Sequence, residues 1–186
     1  MKRLMLLFVV LGLLTAGAQQ KGGPGGKSAH AAKPADQVKT YSGNDLQWGP
    51  APAVLPAGAQ LAVLEGNPMQ SGPYTMRLKM PAGYKIPPHH HHAREHVTVI
   101  SGEFLVGMGD KFEDGKMSSF SPGAFAYLEP TVHHYAMAKG DAVIQLHGQG
   151  PWQIIYVNPA DNPQSLLKRS DSKRRRTGKK SQGEAS

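Results

Sequence analysis

The sequence predicts a single all-β domain, a sandwich or barrel, over residues 41–163. Short apolar runs such as AQLAVLEG, YTMRLKMP and WQIIYVNP are separated by glycine and proline. Residues 97–99 (VTV) alternate apolar and polar side chains with a period of two, as expected of a half-buried strand. Turn signals recur between the runs, for example at 101–102 (SG) and 139–141 (KGD). Short strands with no helical pattern between them are typical of an all-β architecture.

The large apolar side chains of these runs are expected to line or fill the barrel, because such residues are mostly buried in folded proteins. The predicted set is Met76, Phe104, Met108, Phe125, Tyr127, Tyr135, Met137 and Trp152.

Residues 1–18 have the three parts of a secretory signal peptide. Lys2 and Arg3 precede an apolar run over 4–14, and Ala16-Gly17-Ala18 supplies the small-residue cleavage pattern. The run is shorter than the roughly 20 residues that a membrane-spanning helix needs. We therefore predict export to the periplasm or beyond, with no transmembrane segment after cleavage.

The flanking segments are poor in residues that could form a core. Residues 19–40 are rich in Gly, Ala, Lys and Pro and are predicted to be a flexible linker. Residues 164–186 contain eight basic and two acidic side chains and are predicted to be a disordered tail. The intervening residues 19–164 carry eleven basic and eleven acidic side chains. The net charge of +8 thus lies at the ends, which argues against a specific nucleic-acid interface but lets the tail touch anionic surfaces.

Histidines and a glutamate form the one clear chemical pattern of the chain. His89, His91 and Glu95 occur as H-x-H-x3-E. On an extended strand, residues two apart face the same side, so His89 and His91 share a face and His90 points away. The chain has no cysteine, so any metal must be held by nitrogen and oxygen.

This segment resembles the first motif of the cupin superfamily, G-x5-H-x-H-x3-E-x6-G. The residues at its fixed positions are Gly83, His89, His91, Glu95 and Gly102. The resemblance, to small single-domain bacterial cupins, implies a double-stranded β-helix (jelly-roll) barrel. It also implies one divalent metal ion (Fe, Mn, Ni or Zn) and, as in many cupins, a homodimer.

The second cupin motif, G-x5-P-x-G-x2-H-x3-N, is matched only in part. Gly123 fits its first position, and the spacing then places the fourth metal ligand at His134. Glu129, Thr131 and Ala138 stand where the motif has proline, glycine and asparagine. Because a slip of one residue reverses the faces of a strand, His133 remains the alternative ligand.

Three further polar residues are candidates for a catalytic role. Glu95 could leave the metal and act as a base, and Gln145 and His147 lie two apart in a strand-like run and could both face the cavity. Backbone partners near a strand end would equally satisfy Gln145 and His147. His96 follows Glu95 directly and is expected to point away from the metal.

The resemblance leaves several functions open, because a fold does not select a reaction. We expect a metal-dependent enzyme of the dioxygenase or oxidoreductase type that acts on a small organic substrate. Lewis-acid chemistry of the isomerase or hydrolase type is a less favoured form of the same prediction. The alternatives are a non-catalytic periplasmic module that binds metal or a small molecule, and a histidine-rich loop that only scavenges metal.

Overall fold

The computed structural model describes residues 38–165. The predicted signal peptide (1–18), the linker (19–40) up to residue 37, and the basic tail (164–186) from residue 166 lie outside these residues. Among residues 38–165, none of the helical segments has the length and apolar character to cross a bilayer.

Eleven strands form within the described residues. In chain order they are β1 (Gly49–Pro50), β2 (Gln60–Glu65), β3 (Gly72–Met80), β4 (Lys85–His90), β5 (Glu95–Ser101), β6 (Phe104–Met108), β7 (Ser118–Phe120), β8 (Phe125–Leu128), β9 (His134–Ala138), β10 (Ala142–Gly150) and β11 (Ile155–Tyr156). Short 3-10 turns lie at Asp114–Lys116 and Pro159–Asp161, and residues 163–165 are helical.

The strands form two antiparallel sheets. Sheet A has the order β1-β2-β3-β10-β5-β8, and sheet B has the order β11-β4-β9-β6-β7. Several neighbours within a sheet are distant in sequence, such as β3 with β10 and β4 with β9, so the chain crosses repeatedly from one sheet to the other. This is the jelly roll, and it confirms the predicted all-β fold.

The core lies between the sheets and follows the alternation of each strand. In β3 the side chains of Met76, Leu78 and Met80 are at most 1% exposed. Ile144 and Leu146 of β10 pair with two of them and face the same side. Phe104 and Trp152 also lie in this core, as predicted.

Of the other predicted core side chains, three are exposed, one is half-buried and one is fully buried, as predicted, but lies outside the main cluster. Phe125, Tyr127 and Met108 are 56%, 57% and 59% exposed, respectively, and the prediction of burial was wrong for them. Their apolar character is not explained by core packing. Met137 is only half-buried. Tyr135 is fully buried, but it packs against Phe112 outside the core cluster.

Two glycines of the first motif adopt similar left-handed conformations in different surroundings. Gly83 has φ +73° with open space where a Cβ would stand. Gly102 has φ +77°, and a Cβ there would collide with the carbonyl oxygen of Asp141 and lie 2.8 Å from the Cα of Ala142. Gly102 is therefore required both for its backbone conformation and for the close approach of β10.

We predict that Gly102→Ala destabilises the protein by about 1–3 kcal/mol more than Gly83→Ala does, since only the first adds a steric collision to the left-handed strain. Urea denaturation of the two variants measures the difference. Equal free energies of unfolding would contradict the packing described for Gly102.

Candidate metal centre

Three histidine rings meet on the inner side of sheet B. His89 of β4 pairs directly with His134, the first residue of β9. His91 follows β4 and, two residues from His89, points to the same side. One ring nitrogen from each lies within 4.8 Å of the others. The structure therefore brings together the three histidines that the sequence singled out, all of them buried.

Backbone carbonyl groups fix the orientation of all three rings. In each ring Nδ1 lies at hydrogen-bond distance from a carbonyl oxygen, which accepts only if that nitrogen carries the proton. The pairs are His89 with Pro87 (2.7 Å), His91 with Gln153 (2.6 Å) and His134 with Val132 (3.0 Å). The Nε2 atoms then carry lone pairs, which is the state that binds a metal.

Burial favours the neutral form of these rings. It is the main cause that lowers the pKa of His89 well below its usual value, and the neighbouring rings of His134 and His91 add to the effect. Burial also lowers the pKa of His134. Both imidazoles are therefore neutral near pH 7, and protons compete weakly for their lone pairs.

Glu95 lies beside the cluster as the first residue of β5. It is 6% exposed, and its Oε2 is 3.4 Å from Nε2 of His91. The other oxygen, Oε1, accepts a hydrogen bond of 2.7 Å from the indole nitrogen of Trp152. Glu95 is not part of the 4.8 Å group of nitrogens, but its free oxygen stands next to it.

Residues 152 and 153 anchor two of these side chains, a role that the sequence analysis missed. Trp152 donates to Glu95, and its ring stacks on His91 at 6.1 Å between centroids. The carbonyl oxygen of Gln153 holds the same histidine. The available signal was that a buried tryptophan N–H needs an acceptor, but the sequence does not show which acceptor lies nearby.

The space in front of the histidines, here called the histidine cavity, is narrow. It has a volume of about 30 Å³. Apart from the histidines and Glu95, its walls are apolar and come from both sheets; they include Leu55, Leu78, Phe104, Leu128, Ile144 and Trp152. The polar side chains that line the cavity are thus the three histidines and Glu95, which lie next to one another.

A family comparison agrees with this arrangement. The family described as the ChrR cupin-like domain matches residues 36–153, more than half of the chain. The chain belongs to the ChrR cupin-like family. No curated protein shows significant sequence similarity to it.

Two solved structures with TM-scores above 0.5 show the same fold at low sequence identity. The polyketide cyclase RemF from Streptomyces resistomycificus is 14% identical, with a TM-score of 0.52 over 68% of this chain and 89% of RemF. A proposed acetylacetone dioxygenase from Methylibium petroleiphilum PM1 is 18% identical, with a TM-score of 0.51 over 68% of this chain and 85% of that protein. Rhodobacter sphaeroides SigE in complex with the anti-sigma ChrR matches at 20% identity, with a TM-score of 0.42 over 57% of this chain and 50% of that chain.

Two of the altered residues in the second motif contact the first motif segment. Thr131, at the glycine position of the motif, has φ +66°, a conformation that usually requires glycine. Its N–H donates to the carbonyl oxygen of His91 at 2.8 Å. Glu129, at the proline position, accepts two hydrogen bonds from Arg94, at 3.1 and 2.6 Å. These contacts join the two motif segments next to the histidine cavity.

His133 lies on the outer side of sheet B. Its Nδ1 is 2.6 Å from a carboxylate oxygen of Asp110, and its ring stacks on His90 at 5.0 Å. The alternation of β4 and β9 thus separates two histidine pairs. His89 and His134 face the cavity, and His90 and His133 face away from it.

Gln145 and His147 are not among the residues that line the histidine cavity, which was one of the two alternatives that the sequence left open. Gln145 accepts a hydrogen bond from Arg77 at 3.1 Å. His147 stacks on His96, with ring centroids 4.6 Å apart and an interplanar angle of 5°. The reason is strand parity, since Ile144 and Leu146 are the core-facing residues of β10.

We predict that the metal-free protein loses stability as the pH falls below about 6.5, the usual histidine pKa. Folding lowers the pKa of His89 and His134. Between those lowered values and the usual one, the unfolded chain binds more protons than the folded chain, so acid favours unfolding. Urea denaturation at about pH 7.5 and about pH 5.5 measures this.

The variant His89→Gln provides the control for this pH dependence. It removes one of the two buried histidines whose pKa folding lowers, and it should reduce the difference in the free energy of unfolding between the two pH values. A wild-type free energy of unfolding that is equal at both pH values would contradict the assignment of neutral buried histidines.

Proposed function

We propose that this cupin binds one divalent metal ion through His89, His91 and His134, with Glu95 as the fourth ligand. We further propose that it is an enzyme of the oxygenase or oxidoreductase type for a small organic substrate. The observation that carries the metal site is the convergence of three Nε2 lone pairs. Nε2 of His91 is buried and has no hydrogen-bond partner in the protein, a costly arrangement unless a ligand satisfies it.

The donor set limits which ions fit. Three imidazole nitrogens and a carboxylate oxygen suit Fe, Mn, Ni and Zn, whereas sites for Mg or Ca are built mainly of oxygen. When bound, such an ion supplies Lewis acidity, and Fe or Mn adds redox chemistry with dioxygen.

Trp152 is the residue that positions Glu95. Its hydrogen bond leaves Oε2 of Glu95 directed toward His91 and withdraws negative charge from the carboxylate. Glu95 can thus serve as a ligand or, when its Oε2 is free, accept a proton from a substrate. Among the described residues, Glu95 is the one acidic group that lines the histidine cavity. We therefore assign the role of general base to Glu95.

The apolar walls set the kind of molecule that fits beside these groups. They offer no ion-pair partner for a strongly charged substrate, and they exclude water from the metal-facing groups. Water exclusion strengthens every polar interaction inside the cavity. A neutral molecule with one oxygen-bearing end agrees best with a cavity that has apolar walls and polar groups at one end.

A non-catalytic binding module is the second candidate, and one observation favours it. Among the described residues that line the histidine cavity, the histidines hold their Nδ1 protons on backbone carbonyls and Glu95 is bonded to Trp152. A cavity with so few groups available for proton transfer suits storage or sensing of a ligand. In either form we propose export, which is supported by residues 1–18.

We predict that His134→Ala lowers the affinity for Zn(II) or Ni(II) by at least about a hundredfold, a larger loss than removal of an outer partner of a ligand causes. His133→Ala should retain near wild-type affinity, because that ring points away from the cavity. Titration calorimetry on the two variants makes the comparison, and circular dichroism checks that both are folded. The reverse ranking, or equal affinities, would refute the site.

We predict that the Fe(II)-loaded protein consumes dioxygen when it is given a phenol or a β-diketone, as measured with an oxygen electrode. Glu95→Gln should slow consumption, because an amide cannot accept the proton. The Zn(II)-loaded protein is the control for the need for a redox-active metal, and Fe(II) with substrate but without protein is the control for oxygen uptake by free iron. Binding of these molecules without turnover, for every metal tested, would favour the binding module instead.

A further inference from the structure

A second, larger cavity adjoins the histidine cavity. Its volume is about 310 Å³, within the range of small-molecule sites. The two cavities share the side chains of Val97, Phe104, Val106 and Leu128 as walls. We call this larger space the vestibule. The vestibule and the histidine cavity are thus adjacent, and both border on the same four apolar side chains.

The described residues that line the vestibule offer no unpaired charge. Phe120, Ala124, Ala126 and Val132 extend its apolar walls beyond the shared residues. Among residues 38–165, Glu129 is the one charged residue in its lining, and both carboxylate oxygens of Glu129 accept hydrogen bonds from Arg94. A charged ligand would therefore lose its hydration without gaining an ion pair, which is unfavourable.

The vestibule explains two of the exposed apolar side chains of this fold. Met108 and Tyr127 are 59% and 57% exposed, and both line it. Arg94 lies over the ring of Tyr127 at 5.1 Å, so its ion pair with Glu129 and this ring form one rim. Exposed apolar side chains grouped around a cavity are typical of a ligand-binding site.

We infer that the vestibule binds the apolar tail of an uncharged small molecule whose oxygen-bearing, metal-chelating head lies in the histidine cavity. This inference rests on the proposed metal site. The class includes β-diketones, catechols and hydroxamates that carry an alkyl or aryl substituent. It excludes sugar phosphates, amino acids and other molecules that are charged at the end remote from the head.

The basic tail of this chain does not fit the same space. Residues 168–180 contain eight lysines and arginines and no aromatic or aliphatic residue, so they cannot replace water in an apolar cavity. The alternative occupant of the rim formed by Arg94, Glu129 and Tyr127 is a second copy of the chain. Sedimentation distinguishes this case from a small ligand.

The test is the affinity of the Zn(II)-loaded full-length protein for a series of hydroxamates, from acetohydroxamate through hexanohydroxamate to octanohydroxamate. The hydroxamate head is the same in every compound, and the alkyl tail lengthens along the series. Each CH2 that enters the vestibule should tighten binding about fourfold, until the space is full. Titration calorimetry gives the dissociation constants, and the metal-free protein should show no such gain because it cannot hold the head.

Two exposed methionines provide a matched pair of variants. Met108 lines the vestibule, and Met69, 51% exposed, does not. Met108→Asp should reduce the gain along the hydroxamate series and leave acetohydroxamate binding unchanged, whereas Met69→Asp should change neither. Ala126→Phe, which fills the vestibule from its wall, should also reduce the gain and leave the head unaffected.

The outcomes separate this inference from the proposed metal site. If acetohydroxamate binds the zinc-loaded protein but longer tails bring no gain, the vestibule assignment is overturned and the metal site stands. If the gain is equal in metal-free protein, the two cavities do not hold one molecule, and the inference is also overturned. If sedimentation shows a dimer that Met108→Asp dissociates while the series stays flat, a second copy covers the rim. If zinc itself does not bind, the proposed function fails first.

Discussion

The register between β4 and β9 is the constraint on which the site depends. This register pairs His89 with His134, and strand alternation then directs both rings inward. A slip of one residue would bring His90 and His133 inward instead, since adjacent residues face opposite sides. On the outward face, His133 is hydrogen-bonded to Asp110 and stacks on His90. The histidines of each face thus have their own contacts, and these contacts favour the observed register.

The backbone, more than other side chains, prepares the three imidazoles. The carbonyl oxygens of Pro87 within β4, of Val132 just before β9 and of Gln153 accept hydrogen bonds from the Nδ1–H groups. This arrangement fixes both ring orientation and tautomer before any ligand arrives, so little reorganisation is needed when one binds. Trp152 does the same for Glu95. The chain therefore has rigid polar groups at the bottom of an otherwise apolar space.

The sequence predicted the features that depend on local spacing. Strand alternation and turn residues predicted the all-β fold, and the H-x-H spacing identified two of the histidines. Local spacing does not predict contacts between residues that are distant in sequence. The hydrogen bond from Trp152 to Glu95 is an example, since the two residues are 57 positions apart. The sequence also could not show which of two alternating sets of side chains faces inward. Alternation alone does not say whether Gln145 or Ile144 faces the core. For the same reason, exposed Tyr127 could not be distinguished from a core residue.

X-ray absorption at the zinc edge of the full-length protein, loaded with one equivalent of Zn(II), tests the central claim most directly. Three convergent imidazoles predict a first shell with three nitrogens at about 2.0–2.1 Å, with the multiple scattering of imidazole rings and an oxygen contribution from Glu95 or water. A first shell dominated by oxygen, or with fewer than three imidazoles, would contradict the account.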